Sequence, residues 1–200
     1  ELTMTLPPYQ TASGCTDIIL HTMERYFIKE NNMDITDGFA ESLMRTVMKH
    51  TRILMKEPNN YESRAEVMWA GSLSHNDITG SRSFGDWACH QLEHELSGMY
   101  KVAHGAGLAA VWGSWARYVY QEQPSRFAQY ARNVMGIREE NDVECALAGI
   151  EATEQFFKEI GMPTSIHEMG ITLCEEDIRK LAWKCSFEDE RTIGCFKVLK

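Results

Sequence analysis

The chain has 200 residues, 44% of them hydrophobic and 24% charged, and it carries a formal net charge of -9. These values are typical of a globular protein with a substantial core, built as one large domain or two small ones. The acidic balance argues against binding to nucleic acid or to an anionic membrane surface. Because no apolar run reaches the length of a transmembrane helix and no segment resembles a signal peptide, we expect a cytoplasmic protein.

Apolar residues recur at helical spacing along nearly the whole chain, and no segment shows the sustained alternation of a strand. We expect an extended, proline-bearing segment over residues 2–10 and a first helix capped by Ser13 or Thr16. Met68 and Trp69 should face inward from the third helix. The predicted helices cover about residues 13–28, 38–56, 61–72, 86–99, 104–121, 125–135, 139–160 and 175–184.

This pattern predicts a single all-α domain over residues 1–200, folded as an irregular helical bundle. The longest irregular stretch before the histidine-rich region is SHNDITGSRSF, residues 74–84, and a loop of this length is often functional. The six cysteines lack C-x-x-C spacing, so we expect reduced, mostly buried thiols.

Histidines concentrate in one short stretch of the sequence. His90, His94 and His104 lie between Gly85 and Gly107. His90 and His94 are four residues apart and therefore project from one face of a helix, while His104 begins the next helix.

Asp17 and His21 form a second pair with the same spacing, on the predicted first helix. Two helices that each present a pair of ligand-type side chains can face one another and hold a metal ion. One carboxylate with three imidazoles suits a borderline divalent ion. The alternative is that each pair is solvated or structural, since Asp four residues before His also makes an ordinary intrahelical ion pair. Spacing alone does not decide whether His90 or His94 would be the ligand.

The two pairs also follow a long-range order. Asp17-Ile-Ile-Leu-His21 is followed, 69 positions after His21, by His90-Gln-Leu-Glu-His94, and the sequence then reaches His104-Gly105. This order resembles the iron-containing (group III) alcohol dehydrogenases, and within them the butanol dehydrogenase branch. The metal site of that family reads DxxxH and then HxxxHxxxxxxxxxHG. The likeness covers essentially the whole chain, but only part of the family's protein.

The resemblance implies the helical C-terminal domain of that family, a domain of the dehydroquinate synthase type. By this match Asp17, His21, His90 and His104 correspond to the ligands of Fe²⁺, with Zn²⁺ or another divalent ion as the alternative. His94 corresponds to a catalytic histidine beside the nicotinamide and the substrate.

The resemblance also implies that NADH or NADPH binds mainly to an N-terminal domain that this chain does not contain. Gly105-Ala-Gly107 lacks the third glycine and the preceding strand of a phosphate-binding loop. We therefore expect the chain to be the C-terminal domain alone and to be inactive in isolation. The expected partners are a small alcohol or aldehyde and the N-terminal cofactor domain. The sequence does not decide whether the protein forms a homodimer.

The implied reaction interconverts primary, butanol-like alcohols and aldehydes by metal-assisted hydride transfer. One alternative is a helical metal-dependent hydrolase, whose site often adds a second metal and further carboxylates. Glu93 and Glu95 neighbour His94, but they should occupy other faces of that helix. The other alternative is a domain in which the metal is purely structural.

Overall fold

The computed structural model describes residues 1–29, 33–80 and 85–200. Within these residues there are eight α-helices and two short 3₁₀ helices. The α-helices are α1 Pro8–Tyr26, α2 Asp34–Leu54, α3 Tyr61–His75, α4 Ala88–Tyr100, α5 His104–Val119, α6 Pro124–Asn133, α7 Asp142–Glu159 and α8 Glu175–Cys185, and the 3₁₀ helices are Tyr120–Glu122 and His167–Met169.

The predicted all-α class is confirmed. The only β-type pairing in the described residues is an isolated antiparallel bridge between Ile193 and Leu199. None of the helices in this part of the chain has the length and hydropathy needed to cross a bilayer. All six cysteines are free thiols, four of them buried, and Cys174 and Cys195 are exposed.

The first helix begins earlier than predicted. Pro8 is its first residue, a position that proline favours because no backbone N–H is needed there. Ser13 and Thr16 are therefore buried inside the helix and do not cap it. The Thr16 hydroxyl instead donates to the carbonyl of Ala12, one turn earlier, at 2.9 Å.

The inward face of α3 also differs from the prediction. Met68 and Trp69 are 51% and 63% exposed, so both were placed on the wrong face. The buried face holds Arg64 and Ser74, polar residues that apolar patterning does not detect. The Arg64 side chain donates to the carbonyl of Pro58 at 2.8 Å and to the hydroxyl of Thr11 at 2.9 Å, and these bonds offset part of the cost of burying the guanidinium.

The segment predicted as irregular, residues 74–84, is partly helical. Helix α3 continues to His75, and a turn follows it. Residues 81–84 lie outside the described part of the chain.

Helix α1 lies at the centre of the bundle, where it packs against α2, α3 and α5. The buried residues of α1 include Ile19, Leu20 and Met23. Phe27, which follows the last residue of α1, stacks on Phe127 with 4.3 Å between the ring centroids. Burying one such side chain contributes about 1.5–3 kcal/mol. The core therefore fixes α1 from several sides.

Helix α5 approaches α1 at backbone distance. A Cβ atom on Gly105 would overlap the carbonyl group of Ser13, so only glycine permits this contact. The close approach brings His104, the first residue of α5, beside Asp17 on α1. The packing of two helices thus sets the distance between residues that are far apart in sequence.

Candidate metal centre

Three helices meet at one cluster of side chains. Helix α1 contributes Asp17 and His21, α4 contributes His90, and α5 contributes His104. The 3.6-residue period of α1 places its two residues on the same face, as their spacing predicts. Tertiary packing brings in the other two, which come from the middle of the chain.

The cluster centres on one oxygen atom. The Oδ1 atom of Asp17 lies 3.6 Å from Nε2 of His21, 3.6 Å from Nε2 of His90 and 3.3 Å from Nε2 of His104. Ligand atoms at about 2.0–2.2 Å from an ion in tetrahedral coordination lie about 3.4 Å from one another. The three distances from Asp17 Oδ1 are close to this value. The ligand-type atoms of Asp17, His21 and His90 all lie within 4.8 Å of one another, and those of Glu93, His94 and His104 form a second such group next to them.

Several atoms of this cluster are buried without a hydrogen-bond partner in the described structure. They include Oδ1 of Asp17, Nδ1 of His21 and Nε2 of His90. A buried polar atom left unpaired costs about 1–3 kcal/mol. A bound ion is one recognised explanation for such unpaired buried atoms. Oδ1 of Asp17 and Nε2 of His90, which lie 3.6 Å apart, are both atoms of a type that binds metal ions.

The protonation states show how strongly these groups interact. Burial alone raises the pKa of Asp17, but the neighbouring imidazoles of His104 and His90 lower it well below its usual range. Burial, together with the charge on His90, lowers the pKa of His21 to about 3. Asp17 and Glu93 raise the pKa of His104 to about 9. The cluster thus combines an ionised carboxylate with imidazoles whose pKa values differ widely.

His94 lies beside this cluster but does not meet Asp17. Its ring stacks on His104 at 5.4 Å between centroids and lies 6.2 Å from the ring of His90. In the described residues, the imidazoles within 4 Å of the Asp17 carboxylate include His90 and exclude His94. All five predicted site residues are therefore brought together, with His94 on the exposed side.

Two buried carboxylates near the cluster were not predicted as site residues. Oε1 of Glu24 lies 3.2 Å from Nδ1 of His90, and a carboxylate oxygen of Glu93 accepts from Nδ1 of His104. Helical spacing offers a signal for both of them. Glu24 follows Asp17 by two turns, and Glu93 follows His90 by one, so each shares a face with a predicted ligand.

His75 is a further residue that the sequence analysis missed, since it falls in the segment predicted as irregular. Its Nε2 atom lies 3.8 Å from Oδ2 of Asp17, and its ring lies 3.9 Å from that of His21. Trp87 borders the cluster as well, with ring centroids 5.3 Å from His21 and 5.0 Å from His90.

Residues 11–199 match the model of the Fe-containing alcohol dehydrogenase family, C-terminal part. The chain belongs to this family. The resemblance seen in the histidine motifs is thereby confirmed, and the helical bundle is the one found in the family's C-terminal region.

Relatives within the family are similar along most of this chain. NADH-dependent butanol dehydrogenase A of Clostridium acetobutylicum is 39% identical over 171 residues, which cover 84% of this chain and 44% of that protein. NADPH-dependent aldehyde reductase YqhD of Escherichia coli is 38% identical over 169 residues, with the same two coverages of 84% and 44%. The part of each relative that this chain matches is therefore less than half of that relative's length.

A solved structure shows the same helical arrangement. NADH-dependent butanol dehydrogenase A from Thermotoga maritima superposes with a TM-score of 0.91 at 38% sequence identity. The match covers 98% of this chain and 50% of that one.

Proposed function

We propose that this chain is the metal-binding, catalytic part of an NAD(P)-dependent alcohol dehydrogenase acting on primary, butanol-like alcohols and the corresponding aldehydes. The observation that carries the proposal is the convergence of three imidazole nitrogens on Oδ1 of Asp17 at 3.3–3.6 Å. Membership of the family and relatives named as butanol dehydrogenases and aldehyde reductases support the reaction class.

Asp17, His21, His90 and His104 would hold the ion. One carboxylate oxygen and three imidazole nitrogens suit Fe²⁺, with Zn²⁺ as the alternative. The His104 side chain is 37% exposed, so the cluster is open on that side. An open side suits a catalytic ion, because a structural ion is usually enclosed by its protein ligands.

The bound ion would supply Lewis-acid polarisation of the alcohol or carbonyl oxygen. The reaction then balances as alcohol plus NAD(P)⁺ giving aldehyde, NAD(P)H and one proton, with the nicotinamide taking the hydride. The nicotinamide would be bound mainly by a separate N-terminal domain, because this sequence contains no glycine-rich phosphate loop.

His94 stands on the exposed side of the cluster, next to His104. This position suits a residue that contacts the nicotinamide and the substrate. An imidazole there can accept the proton that the alcohol loses and pass it on to solvent. Asp17 contributes the negative charge that holds the ion.

The hydrolase alternative needs carboxylates that are free to bind a second ion. Glu24 and Glu93 are the buried carboxylates next to the histidines, and each already accepts a hydrogen bond from an imidazole. The family to which the chain belongs is also one of dehydrogenases. Both observations favour hydride transfer.

The test is metal-dependent turnover by a protein that joins this chain to a nicotinamide-binding domain. We expect butanol-dependent reduction of NAD⁺ or NADP⁺, followed by nicotinamide absorbance, to disappear on chelation and to return with Fe²⁺ or Zn²⁺. Undiminished turnover after complete metal removal would refute the proposal. Metal binding without any turnover would favour the purely structural alternative.

A further inference from the structure

A buried carboxylate lies directly behind His104. Glu93, on α4, is fully buried, which is rare for a glutamate unless the carboxylate is paired. Both of its oxygen atoms have partners. One accepts from Nδ1 of His104, and the other accepts from the hydroxyl of Ser97.

Helix α5 leaves room for this carboxylate. A Cβ atom on Gly107 would lie 2.6 Å from Oε1 and 2.7 Å from Cγ of Glu93, so any side chain there would have to displace the carboxylate. Gly107 is three residues after His104 on the same helix and therefore lies on the same side. A glycine on α5 and a serine on α4 together form the niche that holds Glu93.

This hydrogen bond decides which nitrogen of His104 carries the proton. A carboxylate oxygen only accepts, so Nδ1 must be the donor. In the neutral ring, Nε2 then presents a lone pair, and it lies 3.3 Å from Oδ1 of Asp17. Two acceptors that face each other repel unless a proton or a metal cation lies between them.

The same arrangement recurs at a second histidine. Glu24 is 2% exposed, and its Oε1 atom lies 3.2 Å from Nδ1 of His90. The backbone N–H of His90 donates to the same oxygen at 3.0 Å. By contrast, Nδ1 of His21 is buried and has no partner in the described structure.

We propose that Glu93 is a positioning residue that holds His104 in the tautomer able to bind a divalent cation and places a negative charge behind its ring. The proposal rests on the metal site proposed above. Glu24 has the corresponding role for His90. Carboxylates behind metal-binding histidines typically raise metal affinity by about 10–100-fold.

The test compares Zn²⁺ affinity, measured by competition with a chelating dye, across a set of variants. Glu93→Leu should bind Zn²⁺ about 10–100-fold more weakly than the wild type. Glu93→Gln should lie between the two, because the amide oxygen still accepts from Nδ1 but the charge is lost. Gly107→Ala should also weaken binding, since its methyl group displaces the carboxylate.

Glu95→Gln is the matched control. Glu95 lies on the same helix and pairs with Lys184 at 3.0 Å, away from the cluster, so affinity should stay within about twofold of the wild type. In nuclear magnetic resonance spectra of the Zn²⁺-loaded protein, the Nδ1–H proton of His104 should exchange slowly in the wild type and rapidly in Glu93→Leu. A loss of packing alone would not produce this selective change.

The outcomes separate this proposal from the metal site itself. If the wild type binds Zn²⁺ and the Glu93 and Gly107 variants bind it equally well, the role of Glu93 is refuted and the metal site stands. If the wild type does not bind Zn²⁺, both are refuted. If Glu93→Leu does not fold by circular dichroism, Glu93→Gln and Gly107→Ala decide the question.

Discussion

Removal of the metal should destabilise the fold, because the proposed ligands come from distant parts of the chain. His21 and His90 are separated by 69 positions, and α1, α4 and α5 each supply at least one ligand. Neither the pair on α1 nor the histidines of α4 and α5 can form the site alone. The binding free energy of the assembled site is therefore also folding free energy.

The expected size follows from mass action. At a free metal concentration 100 times the dissociation constant, the stabilisation is about 2.7 kcal/mol. For a protein of this size, 1 kcal/mol shifts the melting temperature by about 2–4 °C, so chelation should lower it by about 5–10 °C. Differential scanning calorimetry of loaded and chelated protein at pH 7.5 measures this shift.

The shift should depend on pH with a definite sign. Each ligand histidine must be neutral to bind the ion, so protons compete with the metal. His104, whose pKa is raised to about 9, stabilises the metal-free fold fully below its unfolded pKa of about 6.5. That contribution is lost as the pH rises through 9. The stabilisation by metal should therefore be small at about pH 5 and should grow up to about pH 9.

A matched pair of variants controls this experiment. His104→Ala should abolish the difference between loaded and chelated protein, whereas His94→Ala should retain it. Equal melting curves with and without metal at pH 7.5, for wild-type protein shown to bind the ion, would refute the coupling of metal binding to folding.

Three further predictions concern the ligands, the helix packing and the cofactor. His90→Ala and His104→Ala should each lose most of the bound metal in elemental analysis while His94→Ala keeps it, and metal loss in His94→Ala alone would reverse the assignment. Gly105→Ala should destabilise the fold by about 1–3 kcal/mol in urea unfolding because its methyl group overlaps the backbone of α1. Gly98→Ala, in an open part of α4, should be neutral or stabilising, and equal effects of the two would contradict the packing argument. The 200-residue chain alone should bind a divalent ion but neither bind NADH or NADPH tightly nor oxidise butanol, and micromolar cofactor affinity in calorimetry would contradict this.

Helical periodicity predicted the fold class, and the order and spacing of the aspartate and histidine motifs indicated the family. Helical periodicity predicts an all-α bundle because a buried helix face repeats every 3.6 residues, whatever it packs against. The predictions made from periodicity failed where polar residues were buried and apolar residues were exposed. Arg64 and Ser74 occupy the inward face of α3 through hydrogen bonds, and Met68 and Trp69 were consequently assigned to the wrong side.

Within the site, the sequence identified the residue types and their pairing along each helix. Spacing on α4 did not distinguish His90 from His94, because residues four apart share a face. The approach of α5 to α1 at Gly105 brings His104 to Asp17. The contacts of the His90 backbone N–H and ring with Glu24 on α1 bring His90 to Asp17 as well, and His94 stays on the exposed side. The same packing placed Glu24 and Glu93 behind the imidazoles. Such contacts depend on distances between helices, which the periodicity of any single helix does not contain.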